Sequence, residues 1–417
     1  MKGIIAVAFS LFLLPGGVWA QAQSAGSGPP AQEKTEERLR ALEERIRALE
    51  EELRAVKAAQ ATTPAATAPA AEVAQAPAPP PAPSYGQLGG AGGSAAKVLN
   101  PDISVIGDFL GAAGRNRVRP VPALEMHETE VGLQAIIDPY ARGDVFISFG
   151  EAGVDIEEAY LTFTSLPGGL TARVGKMRAA FGRVNAMHND ALPWIDRPLV
   201  TENLVSGEEG INDAGVSLSR ILPAPKGIFL EAIGQAYRGD SGTLFVANRR
   251  DDISVVGRLH GYGDFTDNTN LDMGFSYARG HNDLGSDFLT NLYGIDATLR
   301  WKPLRRAIYH SFLWRNEFVW SRRDQLPMQQ RAFGMYSAAE YRLNRRWTLG
   351  GRFDWSERPT IANQRDSGFS ALLTYWPSEF SQIRGQYRFT RYDGKQDANE
   401  LRFQFLFVMG AHGAHPF

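Results

Sequence analysis

From Val98 to Phe417 the chain breaks into short segments of alternating apolar and polar residues, separated by Gly, Asp, Asn and Pro. A period of two places successive side chains on opposite faces of an extended strand. About sixteen such segments fit in about 320 residues, roughly 20 for each strand and its turn. They begin near Ile103, Ala123, Tyr140, Val154, Gly169, Gly210, Gly227, Ile253, Thr269, Phe288, Ala307, Gln330, Arg346, Gly368, Phe380 and Asn399. Nothing after residue 20 approaches the ~20 continuous apolar residues of a membrane helix. A membrane crossing by this region would have to be made by strands.

Several segments sort cleanly into two faces. In the ninth, Leu271, Met273, Phe275 and Tyr277 oppose Asp272, Gly274 and Ser276. In the thirteenth, Trp347, Leu349, Phe353 and Trp355 oppose Arg346, Thr348, Arg352 and Asp354. In the fifteenth, Ile383, Tyr387 and Phe389 oppose Arg384, Gln386, Arg388 and Thr390. A soluble sandwich buries the apolar face, whereas a membrane barrel turns it to lipid and the charges to a wet lumen. The alternation fits both. The last segment, with Phe403, Phe405, Phe407 and Met409 on one face, runs to an aromatic end at Phe417, and Trp314, Trp320, Tyr375 and Trp376 stand at strand ends where aromatic girdles belong.

The N-terminus points the same way. Lys2, the apolar run Ile4 to Leu14 and the small-residue site ending at Ala20 read as a secretory signal over residues 1–20. The mature chain then enters an oxidising space without a single Cys. The expected fold is therefore an all-β membrane protein, an antiparallel transmembrane barrel of about sixteen strands over 98–417.

Residues 33–60 read as a short parallel coiled coil in the periplasm. Leu39, Leu42, Ile46, Leu49, Leu53 and Val56 form an unbroken 3-4 seam. The flanking charges Arg38, Arg45 and Glu52 are each matched, five residues on, by the opposite charges Glu43, Glu50 and Lys57, which favours parallel, in-register chains. Residues 61–97, rich in Ala, Pro and then Gly, cannot bury a core and read as a linker. The net charge of −2 gives a nucleic-acid partner no electrostatic support.

Three resemblances sharpen this. Leu170-Thr-Ala-Arg-Val-Gly-Lys-Met-Arg-Ala-Ala-Phe-Gly-Arg183 resembles the strand that, in phosphate-selective porins, leads into a loop folded inside the barrel, and Leu192-Pro-Trp-Ile-Asp-Arg-Pro-Leu-Val-Thr-Glu202 resembles that loop. Arg38-to-Glu43 and Arg45-to-Glu50 resemble the trimerisation motif of short coiled coils. Asn100-to-Gly107, Trp376-to-Phe380 and Gly410-to-Phe417 are similar to bacterial outer-membrane proteins labelled zinc-regulated TonB-dependent receptors. That label implies a plug domain and about 22 strands, where this chain offers a coil, a linker and room for about sixteen.

The connection at about 178–209 is the longest between strands, and loops of that length are usually functional. Arg173, Lys176, Arg178, Arg183 and Arg197 could form a positive constriction, tempered by Glu202 and by Asp190, Asp196, Glu208 and Glu209. The alternative is that these charges pin the loop to the wall. Asp296, Arg300, Glu340, Arg352, Asp354, Arg384 and Arg388 are expected to line the lumen. His412 and His415 are the weak candidates for a metal site, because spacing i, i+3 on a strand points them to opposite faces; His127, His188, His260, His281 and His310 are scattered. No cofactor is called for, and no Ser/His or His/Asp set converges as a catalytic site would. The reading is a homotrimeric outer-membrane porin for passive diffusion of small solutes and ions, embedded in lipid, with its coil a candidate contact for peptidoglycan or an envelope protein. The alternatives are a zinc-linked uptake channel and a structural tether.

Overall fold

The computed structural model describes residues 101–410, apart from 152, 394 and 395, together with Arg47 and Glu51, two exposed helical residues. The expected signal peptide, coiled-coil seam and linker, and His412, His415 and Phe417, lie outside the described residues.

Sixteen antiparallel strands close into one barrel. They are β1 Asp102–Arg115, β2 Leu124–Asp138, β3 Ala141–Gly150, β4 Gly153–Leu166, β5 Leu170–Arg178, β6 Asn212–Ile221, β7 Ile228–Tyr237, β8 Ser254–Thr266, β9 Thr269–Asn282, β10 Gly285–Trp301, β11 Ser311–Arg323, β12 Gln330–Arg342, β13 Trp347–Glu357, β14 Arg365–Ser378, β15 Ser381–Tyr392 and β16 Gln396–Gly410. Each strand pairs with its sequence neighbours, and β1 pairs with β16 from Ser104↔Gly410 to Arg115↔Asn399. Closure leaves no edge to pair with another chain. An even strand count brings β1 in and β16 out at the same end.

The two-faced segments resolve the ambiguity of the alternation, because the burial is inverted. Leu349 and Phe353 are 51% and 46% exposed, while Arg352 and Asp354 between and beside them are 0% and 1% exposed. Phe275, Leu373, Tyr387 and Phe403 are likewise exposed, and Asp272, Arg384, Arg388 and Gln404 buried. In water such a surface would be an extended apolar patch. Surrounded by hydrocarbon it is the low-energy arrangement, and it defines a transmembrane barrel. Aromatic side chains gather toward both strand ends. Toward one end Tyr277 meets Tyr293, and Trp320, Phe333 and Trp355 form a row. Toward the other Trp347 packs on Tyr375 at 4.6 Å, and Arg342 lies over Trp376. These are the positions where amphipathic rings settle at membrane–water boundaries.

Candidate functional site: a loop folded into the lumen

After β5 the chain does not turn back at the rim. Residues 179–211 run inside the barrel before β6 begins, their two ends tied by Ala179 N–H donating to the Ile211 carbonyl at 2.8 Å. The path can be followed by its hydrogen bonds to inward-facing wall residues. Gly182 N–H donates to Ser276 Oγ on β9, and the backbone of Arg183 and Val184 donates to Glu317 on β11. Ile195 N–H donates to Gln386 on β15, Leu199 N–H to Asp354 on β13, and Asn203 Nδ2 to Asp366 on β14. Gly182 has φ +60°, a conformation that favours glycine, and a Cβ there would press on the Glu317 carboxylate.

The loop carries its own apolar core. Phe181, Val184, Leu192, Trp194, Val200, Leu204 and Ile211 are buried and cluster with the inward wall residues Leu292, Val319, Ala332, Tyr336, Ala338 and Leu372. A short helix, α1 (Leu199–Leu204), packs against β11 to β14. Trp194 is the anchor: its ring meets Tyr336 edge-on at 5.1 Å, and the Arg352 guanidinium lies over it at 4.9 Å.

Charge pairs then fasten the loop at two places. At one, Asp196 accepts from Arg352 at 2.9 Å and pairs with Arg388 and Gln386. Burial opposes the charge on Asp196, but Arg352 and Arg388 outweigh it and hold its carboxyl well below the usual range. At the other, His188 is enclosed by acids: Nδ1 lies 2.6 Å from Glu130 and 3.2 Å from Glu157, and Nε2 2.8 Å from Glu158. Burial alone would lower the ring's pKa; the bonds to Glu130, Glu157 and Glu158 hold it well above its ordinary value. Next to it, burial and then Glu130 raise Asp190 to about 7.

Asp196 supports a pH prediction. A depressed carboxyl contributes stability that is fully present above its unfolded value of ~3.9 and is lost as pH falls through the folded value. Asp196→Asn is expected to destabilise the barrel by about 3 kcal/mol, as breaking a buried pair does. The difference from the parent should stay constant between pH 7 and 5 and shrink only below about pH 4. Denaturant unfolding in detergent at several pH values checks this; a difference already gone at pH 5 would show that Asp196 is not held ionised by its arginines.

The structure distributes the expected site residues among several roles. Arg178 is buried at the loop's root, bonding the Glu208 and Glu209 carbonyls and Glu157. Arg197 bonds the Val184 and Met187 carbonyls and Asn189, a staple within the loop. Glu202 pairs with Arg119 at 3.0 Å. Arg173 lies over the Tyr160 ring, and Lys176 pairs with Asp155 on the strand before. Asp296 is held by both terminal nitrogens of Arg258, Arg352 bridges Asp196 and Asp354, and Arg388 joins them.

The remaining lumen-face residues, Arg300, Glu340 and Arg384, line a cavity of about 330 Å³ together with Arg183. Lys302, Arg315 and Arg342 complete a strongly basic lining, against which only Asp190 and Glu340 are acidic. The cavity reaches Ser311, Thr348, Trp376 and Gln382, so it lies toward the end where β1 enters. A second cavity, of about 320 Å³, has the opposite character: Glu125, Glu128, Glu151, Asp155, Glu157, Glu208 and Glu209 line it, with Arg178 and His127. It lies toward the loop's root and the connection between β3 and β4.

Sequence reasoning missed the acids that receive the loop. Glu128 and Glu130 share a face of β2 by simple alternation and were within reach. Glu157 and Glu158 are consecutive, and both are buried because the β3–β4 register shifts between Phe146 and Ile147. A bulge of that kind leaves no trace in a period-two pattern.

The closed sixteen-strand barrel is a fold shared with solved outer-membrane porins and channels. An anion-selective porin from Comamonas acidovorans superposes with TM-score 0.53 at 9% identity, covering 74% of this chain and 99% of that one. The outer-membrane channel DcaP of Acinetobacter baumannii gives 0.51 at 12%, covering 74% and 96%. OmpT of Vibrio cholerae in its trimer form gives 0.51 at 10%, covering 74% and 100%. By sequence, no protein-family profile matches the chain. An uncharacterized protein of Aquifex aeolicus is 29% identical over 387 residues, covering 77% of this chain and 81% of that protein.

Proposed function

We propose that the chain is a bacterial outer-membrane diffusion channel, homotrimeric, through which small solutes and ions pass a lumen narrowed by residues 179–211. The observation that carries this reading is the inverted barrel itself: apolar residues outside, ionised and hydrogen-bonded residues inside, and a long loop held against the inner wall from several sides. A lumen of fixed charges is wet, and a barrel that only anchored the chain would not need it. The bipolar lining favours anions at the basic cavity and cations at the acidic one, so net selectivity is mild. The superposition on an anion-selective porin and on a trimeric barrel supports a pore and a trimer in the same sense. The coil of residues 33–60 extends into the periplasm and reinforces the trimer.

Single-channel recording of the purified, heat-modifiable protein in a planar bilayer tests the channel. Discrete steps, closing in threes, are expected. Silence from correctly folded protein would leave the structural-tether reading in its place. Deleting residues 33–60 is expected to weaken the trimer on detergent gels without changing the unit step; an unaltered trimer would remove the coil from the assembly.

A further inference from the structure

We propose that Glu130, His188 and Asp190 form a binding site for a divalent transition-metal ion where the inward loop meets the barrel wall. One ligand atom from each lies within 4.8 Å of the others, and all three residues are buried. Asp190 is 2% exposed, and neither of its carboxylate oxygens has a hydrogen-bond partner; Glu130 Oε1 has none either. Burying a carboxylate with both oxygens unsatisfied is costly, and a cation satisfies both.

The donor set indicates the kind of ion. One imidazole with two carboxylates suits zinc, manganese or iron, whereas calcium and magnesium take oxygen donors throughout. His188 is already oriented as a metal ligand is: Nδ1 points to Glu130 while Nε2 is held by Glu158 at 2.8 Å, the carboxylate partner that fixes the ring and its tautomer in metal sites. On binding, the ion takes the place of the Nδ1 proton, which leaves to solvent. Asp190 borders the basic cavity, and the neighbouring Glu128, Glu157 and Asn189 border the acidic one. The bound ion would tie the loop, through His188 and Asp190, to β2.

The test uses the full chain in detergent, treated with chelator, carrying His412→Asn and His415→Asn so that the terminal histidines contribute nothing. Titration calorimetry with Zn²⁺ alone and Mn²⁺ alone is expected to show one saturable equivalent per chain. Asp190→Asn should weaken binding at least tenfold, and Glu130→Gln should do the same should the first variant fail to fold. No saturable binding to the parent, or equal binding to a folded variant, overturns the site. Preference for Ca²⁺ over both overturns the assignment of His188 as a ligand. The readout is binding, so the outcome is independent of whether the barrel conducts.

Discussion

Replacing residues 182–209 with a short Gly-Ser turn is expected to raise the unit conductance several-fold in symmetric KCl. Among the described residues, Leu192, Trp194, Val200 and Leu204 of that segment fill the lumen near β11 to β14 and occupy volume that would become water. The β-ladder is left whole, because the Ala179–Ile211 bond and the β5–β6 pairing lie outside the excised part. A milder version is Trp194→Ala, which removes the ring between Tyr336 and Arg352 and should cost about 3–5 kcal/mol of loop anchoring. Larger open-channel noise is expected there rather than a uniformly larger step. Heat-modifiability on gels confirms that the barrel has closed. An unchanged step in the excised variant would mean that the limiting section lies elsewhere.

Reversing two charges at the basic cavity, Lys302→Glu with Arg342→Glu, is expected to shift the reversal potential under a KCl gradient clearly toward potassium. Both residues line the cavity, and neither makes an ion pair among the described residues. Their replacement therefore changes the field without stranding a buried partner, unlike Arg352 or Arg258. The parent pore carries opposite fixed charge at its two ends, which should make its current depend on voltage polarity. The double variant removes that asymmetry, so the current–voltage curve should straighten as selectivity changes. High salt should mute both effects, since the Debye length falls from ≈ 10 Å at 0.1 M to 3 Å at 1 M. If the reversal potential does not move, the basic cavity is not on the ion path.

The strands were the most legible part of the chain. Expected starts at Thr269 and Gln330 coincide with those of β9 and β12, and the largest miss, Ala307 against Ser311, is four residues. The period-two alternation is a local property, repeated often enough that boundaries correct one another. The lumen charges on β10, β13 and β15 were legible for the same reason. The inward loop was recognisable by its length and its resemblance to a porin loop. Its core was not, because Tyr336, Ala338 and Leu372 are apolar residues facing the lumen, against the rule that sorted the other strands. They face inward because the loop covers them, which no single strand reveals.

What the sequence by itself determined is the barrel: alternation specifies faces, the even count brings both ends of the barrel to one side, and apolar runs too short for helices leave strands as the only crossing. What the tertiary structure decided is where charge resides in the lumen. Arg178 and Arg197 donate to buried backbone carbonyls of the loop, and Arg178 also borders the acidic cavity. At the basic cavity Arg183 and Asp190 of the loop meet wall residues distant in sequence, Lys302, Arg315 and Arg342 among them, brought together only when the sheet closes. The cage around His188 arises in the same way: its acids come from β2 and from the bulged pair on β4, and only closure with the loop inside brings one imidazole among them.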